Sequence, residues 1–230
     1  MNSILEQLLD LITALTLLIL ASYGTSYFWK RILTGKRYVI IAFPGVIIHE
    51  LSHLFACLIT LAKVEEVKLF SLSGGFVKHK KSKLPIIGEP IISLFPVIGG
   101  TISLFIIFFL FGINLPDLRF NLNFILESRD LFLSEWRNLS FWILIYLSTS
   151  IIISIIPSKK DLKNSLSGLL IILIIIFLAV ELQLINKLPM IDFVTNMIAF
   201  SFLIGFFTLV FGSLIHLIEF LVSKFLAIPN

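Results

Sequence analysis

Charge is scarce in this sequence. Asp, Glu, Lys and Arg supply only 14% of its 230 residues, against about 25% in an ordinary soluble domain. Such a small stock cannot cover the surface of a water-soluble chain of this length, and 58% of the residues are hydrophobic. A single polytopic membrane domain is therefore expected. Cysteine is almost missing as well. Cys57 stands alone, so the chain has no internal disulfide, and the residue is expected to pack as a small apolar group. A concentrated basic face is also missing. The net charge of +4 comes from Lys and Arg clusters beside apolar runs, a pattern that suits a lipid bilayer as partner and argues against nucleic acid. There is no G-x-S-x-G elbow and no phosphate-binding glycine loop, and Ser52 and Ser148 have no partner that spacing identifies. Ser-His-Asp catalysis is thereby disfavoured. No internal repeat or low-complexity tail is visible. The first apolar run carries Glu6 and Asp10 in place of a basic leader, so it is expected to be a retained transmembrane helix.

What is present is a series of long apolar runs. A bilayer core needs about 20 apolar residues in helix. By that measure the candidate spans are residues 4–29, 38–62, 84–113, 139–156, 166–185 and 191–226. The fold class expected is an all-α membrane protein with about six transmembrane helices. Two polar connections are long enough to hold structure. Residues 64–83, "VEEVKLFSLSGGFVKHKKSK", place β-branched and aromatic residues on both sides of Gly74 and Gly75, which predicts a small β-hairpin. Residues 114–138 mix Arg119, Arg129 and Arg137 with Asp117, Glu127, Asp130 and Glu135 and suit an interfacial loop or short amphipathic helix. The balance of Lys and Arg across the runs slightly favours a cytoplasmic hairpin side. The Lys-, Ile- and Asn-leaning composition suits a prokaryotic cell membrane.

The second run holds polar groups where each is costly. In "AFPGVIIHELSHLFACLITLAK", His49 and His53 are four residues apart, so on a helix they share one face about 6 Å apart. Two imidazoles at that spacing can bind one Zn²⁺. Glu50 can point toward the open coordination position and take a proton from water activated by the ion. A bound dication would also explain why the trio is tolerated. Ligating imidazoles are satisfied, and a carboxylate beside the ion is compensated.

Catalytic zinc usually has a third protein ligand. Asp161, in "SIIPSKKDLKNSLSG", follows the fourth run. The second and fourth runs point the same way, so Asp161 lies on the side toward which His53 points. It must then sit on a recessed segment that lines a cavity. Glu89 in "GEPII" is the other candidate, with a helix-start charge ahead of Pro90 as its alternative role. His216 and Glu219 share a metal-compatible spacing but also suit a helix end. His79 stands among lysines and suits an interfacial position. Asp192 and Glu181 suit helix ends.

The stretch "VIIHELSHLFACLITLAKVEEVKLFSLSGGFV" resembles the membrane-embedded site-2 protease family of metallopeptidases. His49, Glu50 and His53 match that family's zinc motif, Ala56 its small residue, Gly74 and Gly75 its hairpin, and "PIISLFPVIGGTI" its next span. The family's second motif, an Asn-Pro-x-x-Asp-Gly or Leu-Asp-Gly segment, is replaced here by "PSKKDLKNS". Pro157 and Asp161 are kept, but Asn does not precede the proline and Gly does not follow the aspartate. The resemblance implies an intramembrane zinc metalloprotease. His49, His53 and Asp161 would hold Zn²⁺, Glu50 would be the catalytic base, and a membrane protein or peptide would be the substrate. The competing expectation is a non-proteolytic metal-binding membrane protein or a transporter.

Overall fold

The computed structural model describes residues 2–33, 36–72, 74–111, 133–135, 137–156, 158 and 160–165, with scattered residues between 174 and 224. In chain order these form α1 (Asn2–Ile32), α2 (Lys36–Ile59), β1 (Val64–Lys68), β2 (Phe76–His79), α3 (Gly88–Leu110) and α4 (Leu139–Ser154). The chain is mainly helical with one small antiparallel sheet. Among the described residues, Tyr38–Ile59 and Gly88–Leu110 are long and apolar enough to cross a membrane. Most of residues 114–138, and almost all of the runs at 166–185 and 191–226, lie outside the described residues, as do Glu181, Asp192 and Glu219. His216 is described, in helix.

Local chemistry sets the ends of these elements. Leu61 adopts φ 54° after α2, while Ala62 N–H bonds to Cys57 O at 2.9 Å and Leu61 N–H to Leu58 O at 3.3 Å. This is a Schellman closure, and its usual apolar contact is supplied by Cys57 and Ala62, which belong to one buried cluster. It turns the chain directly into β1. At the start of α4, the Asn138 side chain accepts a hydrogen bond from Ser140 N–H, satisfying an N-terminal donor.

The helices pack around α2. Tyr146 OH donates to Ile40 O, Gly45 N–H to Ser150 Oγ, and His49 contacts Ser154. Partner numbers rise together, so α4 runs parallel to α2. Contacts to α3 run the other way, from Thr60 with Ser82 to His53 with Ile92. Gly45 allows the α2–α4 approach, because a Cβ there would run into the Ser150 carbonyl. Gly99 and Gly100 of α3 similarly face Ser52 and Ile155.

The interior is unusually polar and fine-grained. Ser22, Thr25, Ser52, Ser93, Thr101, Ser148 and Ser150 are buried, while Ile98, Ile102, Ile106 and Phe109 form an exposed stripe on α3. That is the reverse of a water-soluble helix. Small residues let helices approach where lipid, and not water, is the competing solvent.

β1 and β2 pair antiparallel, with Val67 opposite Val77 and a bulge between Val64 and Glu66. Val64 and Val77 rest on the cluster of Ala56, Cys57, Ala62 and Ile92. The connection between the strands folds back along α2, where Phe70 meets Phe43 edge-on at 4.6 Å between ring centroids. The hairpin tip is thus carried down to the level of His49 and Glu50.

Candidate metal centre

His49 and His53 project from one face of α2 and converge. Their Nε2 atoms lie 3.2 Å apart. Each ring is held from behind by a backbone carbonyl. His49 Nδ1 lies 2.6 Å from Ser154 O at the end of α4. His53 Nδ1 lies 2.9 Å from Ile92 O in α3. A carbonyl only accepts, so both Nδ1 atoms carry the hydrogen. Both Nε2 atoms are then left with lone pairs that converge from rings inclined at 78°. Two acceptors at that separation repel unless a positive charge lies between them.

Asp161 supplies negative charge at the same point. Its Oδ2 lies 3.8 Å from His53 Nε2, and one donor atom each from His49, His53 and Asp161 fall within 4.8 Å of one another. A tetrahedral ion with bonds of about 2 Å holds its donors roughly 3.3 Å apart. The imidazole pair already has that separation, and the carboxylate oxygen lies 3.8 Å from His53 Nε2. Two imidazoles and a carboxylate, with both histidines oriented by second hydrogen bonds, are a donor set that fits a divalent transition metal.

The segment that carries Asp161 is built by a capping box. Ser158 N–H and Ser158 Oγ bond to Asp161 Oδ2 at 3.0 and 2.6 Å, and Asp161 N–H returns to Ser158 Oγ at 3.2 Å. Residues 160–165 are helical. This box has a second effect. Ser158 N–H is four residues beyond Ser154 and would otherwise extend α4 by bonding to Ser154 O. Since it turns to Asp161, the Ser154 carbonyl is left for His49. Asp161 thus comes beside the histidines because α4 stops at Ser154 and a helix restarts at residues 160–165.

Glu50 is buried at 8% exposure and lines a cavity of about 480 Å³ together with His49, Tyr23, Tyr27, Lys30 and Tyr38. Gly74 and Gly75 of the hairpin line the same cavity. A Cβ on Gly75 would come 2.5 Å from Glu50 Cγ and 2.7 Å from Leu69 O. The hairpin therefore lies directly over the Glu50 side chain, and only glycine fits there.

Glu89 is occupied elsewhere. Its Oε1 accepts from Ser82 N–H at 3.0 Å, which anchors the entry to α3, and it is outside the three-donor group. His79 Nδ1 lies 2.9 Å from Lys80 O at the end of β2. The carbonyls of Ile92 and Ser154, the Ser158 cap and the contact of Gly75 with Glu50 escaped the sequence reading. Signals for two of them exist: Pro96 stands four residues after Ile92, and Ser158-x-x-Asp161 has capping-box spacing.

No family model, curated protein or solved structure matches this chain.

Proposed function

We propose that the chain is an intramembrane zinc metalloprotease that hydrolyses peptide bonds of membrane-associated protein substrates. One observation carries the proposal: His49, His53 and Asp161 converge beside a cavity that Glu50 lines. Two imidazoles and one carboxylate leave a tetrahedral ion one open position, the arrangement of hydrolytic zinc sites. Zinc held by these three side chains would supply Lewis acidity to a peptide carbonyl and to water, bringing the pKa of that water to about 7. Glu50, at the cavity wall, accepts a proton and returns it to the departing amine nitrogen. The cavity volume suits a few residues of extended chain, so a substrate helix must unwind to enter. The hairpin beside Glu50 offers a strand edge on which an extended peptide can pair.

The same reading takes the chain as a multi-pass protein of a prokaryotic cell membrane with about six spans. The two membrane-length helices and the outward stripe of large apolar residues on α3 support it.

Purification in detergent followed by elemental analysis tests the metal. About one zinc per chain is expected, lost in His53→Ala, as a three-ligand site requires. Glu50→Gln should keep the zinc and lower cleavage of a membrane-protein substrate by about 10²–10⁴-fold. Zinc binding without chelator-sensitive cleavage would assign the chain to non-proteolytic metal binding or transport. Wild-type turnover in Glu50→Gln would remove Glu50 from the mechanism.

A further inference from the structure

Pro96 lies inside α3, in a helix that otherwise needs every backbone donor. An α-helical carbonyl accepts from the N–H four residues later. For Ile92 that residue is Pro96, which has no N–H. Ile92 O is therefore left without its intrahelical donor, in a buried position: Ile92 is 2% exposed, and Pro96 is buried too. A hydrogen bond from another helix takes that place: His53 Nδ1 lies 2.9 Å from Ile92 O.

We propose that Pro96 is a positioning residue for the metal centre. It strips one hydrogen bond from α3 so that the exposed carbonyl fixes the tautomer and ring orientation of His53. The same chain uses the same device elsewhere. Pro44 in α2 lacks the donor that Ile40 O would use, and Ile40 O accepts instead from Tyr146 OH at 3.2 Å. In both places a proline in one helix creates an acceptor for a side chain of its neighbour. At Pro96 the side chain so held is a metal-ligand candidate. With the Nδ1 hydrogen committed to Ile92 O, the Nε2 lone pair of His53 is left free beside His49 Nε2 and the Asp161 carboxylate. A helix without Pro96 would close its own ladder through Ile92 O, and His53 would share that oxygen with a second donor, which weakens its hold. Pro90 serves as an internal contrast. It sits in the first turn of α3, where an N–H has no intrahelical partner anyway.

The metal part of this inference rests on the proposed zinc site; the tautomer part does not. The test is therefore read twice, first on metal-free protein in detergent by ¹⁵N NMR of labelled histidines. Wild type and Pro90→Ala should show His53 with its hydrogen on Nδ1. Pro96→Ala should show a mixture of tautomers. Lactic acid installed at position 96 by nonsense suppression has no N–H and no ring, and should restore the wild-type tautomer. The second readout is zinc affinity by chelator competition, where Pro96→Ala should bind about 10–100-fold more weakly and the ester variant should recover. An unchanged His53 tautomer in Pro96→Ala overturns the proposal, as does failure of the ester to restore it. If the tautomer responds as expected but wild type binds no zinc, the metalloprotease reading fails and the positioning role of Pro96 stands. If Pro96→Ala does not fold, the ester variant alone decides: a wild-type tautomer supports the role, and a mixture overturns it.

Discussion

At the residue scale, the site depends on where a few hydrogens and a few missing atoms lie. Both imidazoles spend their Nδ1 hydrogens on carbonyls, so their Nε2 lone pairs are free and converge at an angle on one point. That arrangement is unfavourable without a positive charge and favourable with one, which makes the cluster a trap for a cation. Glycine at position 75 is as specific as the histidines. A methyl group there would collide with Glu50 Cγ and with the Leu69 carbonyl, so the hairpin or Glu50 would have to move. Gly75→Ala is expected to lower substrate cleavage by about a hundredfold, the usual penalty for a displacement near 1 Å at a reacting group. Zinc content should stay at the wild-type level, because the atoms nearest the added methyl belong to Glu50, Leu69 and Lys68 and not to the three donors. Parallel assays of cleavage and bound metal check this, and equal loss of both would show that Gly75 supports the whole site.

At the element scale, three helices are tied to one centre. α2 carries both imidazoles, α3 offers the Ile92 carbonyl, and the end of α4 offers the Ser154 carbonyl and then Asp161. The affinity of the proposed metal site would consequently be sensitive to helix spacing far from the donors. Gly45 is a close point between α2 and α4, where a Cβ would run into the Ser150 carbonyl, one helical turn before His49. Gly45→Ala forces that pair apart. Overpacking of this kind costs about 1–3 kcal/mol, or roughly 3–10 °C in Tm for a chain of this size. The native tryptophans allow the transition to be followed by fluorescence in detergent. Metal binding should weaken in the same variant, since His49 moves away from Ser154. A variant with unchanged Tm and unchanged zinc affinity would show that α2 and α4 are not so rigidly coupled.

At the scale of the whole molecule, the described helices bury polar side chains and expose large apolar ones. Among the described residues, serines and threonines are buried between helices beside a smaller apolar core, while many large isoleucines, leucines and phenylalanines face outward. A surface of this kind is an aggregation hazard in water and an asset in lipid. Expressed in bacteria, the chain should sediment with membranes and remain there after alkaline carbonate washing. Recovery in the carbonate-soluble fraction would sink the integral-membrane reading and, with it, the idea of a substrate cut within the bilayer.

The sequence alone determined a good deal. Apolar runs of membrane length, too few charges for a wet surface, and a glycine pair between β-branched segments dictated helices and a hairpin, because hydrophobic length and local turn chemistry are properties of neighbours in the chain. The spacing of His49 and His53 likewise dictated a shared helix face. What the sequence could not determine is which distant groups meet those imidazoles. The parallel direction of the second and fourth runs favoured Asp161 over Glu89, but spacing alone gave no distance. Only the parallel packing of α4 on α2 brought Asp161 within 3.8 Å of His53, while Glu89 was committed to Ser82. The carbonyls of Ile92 and Ser154 have no side-chain signature at all, since every residue has a carbonyl and only a missing or diverted N–H makes one available. That availability depends on where helices stop and which helix lies alongside, and those are decisions of tertiary packing.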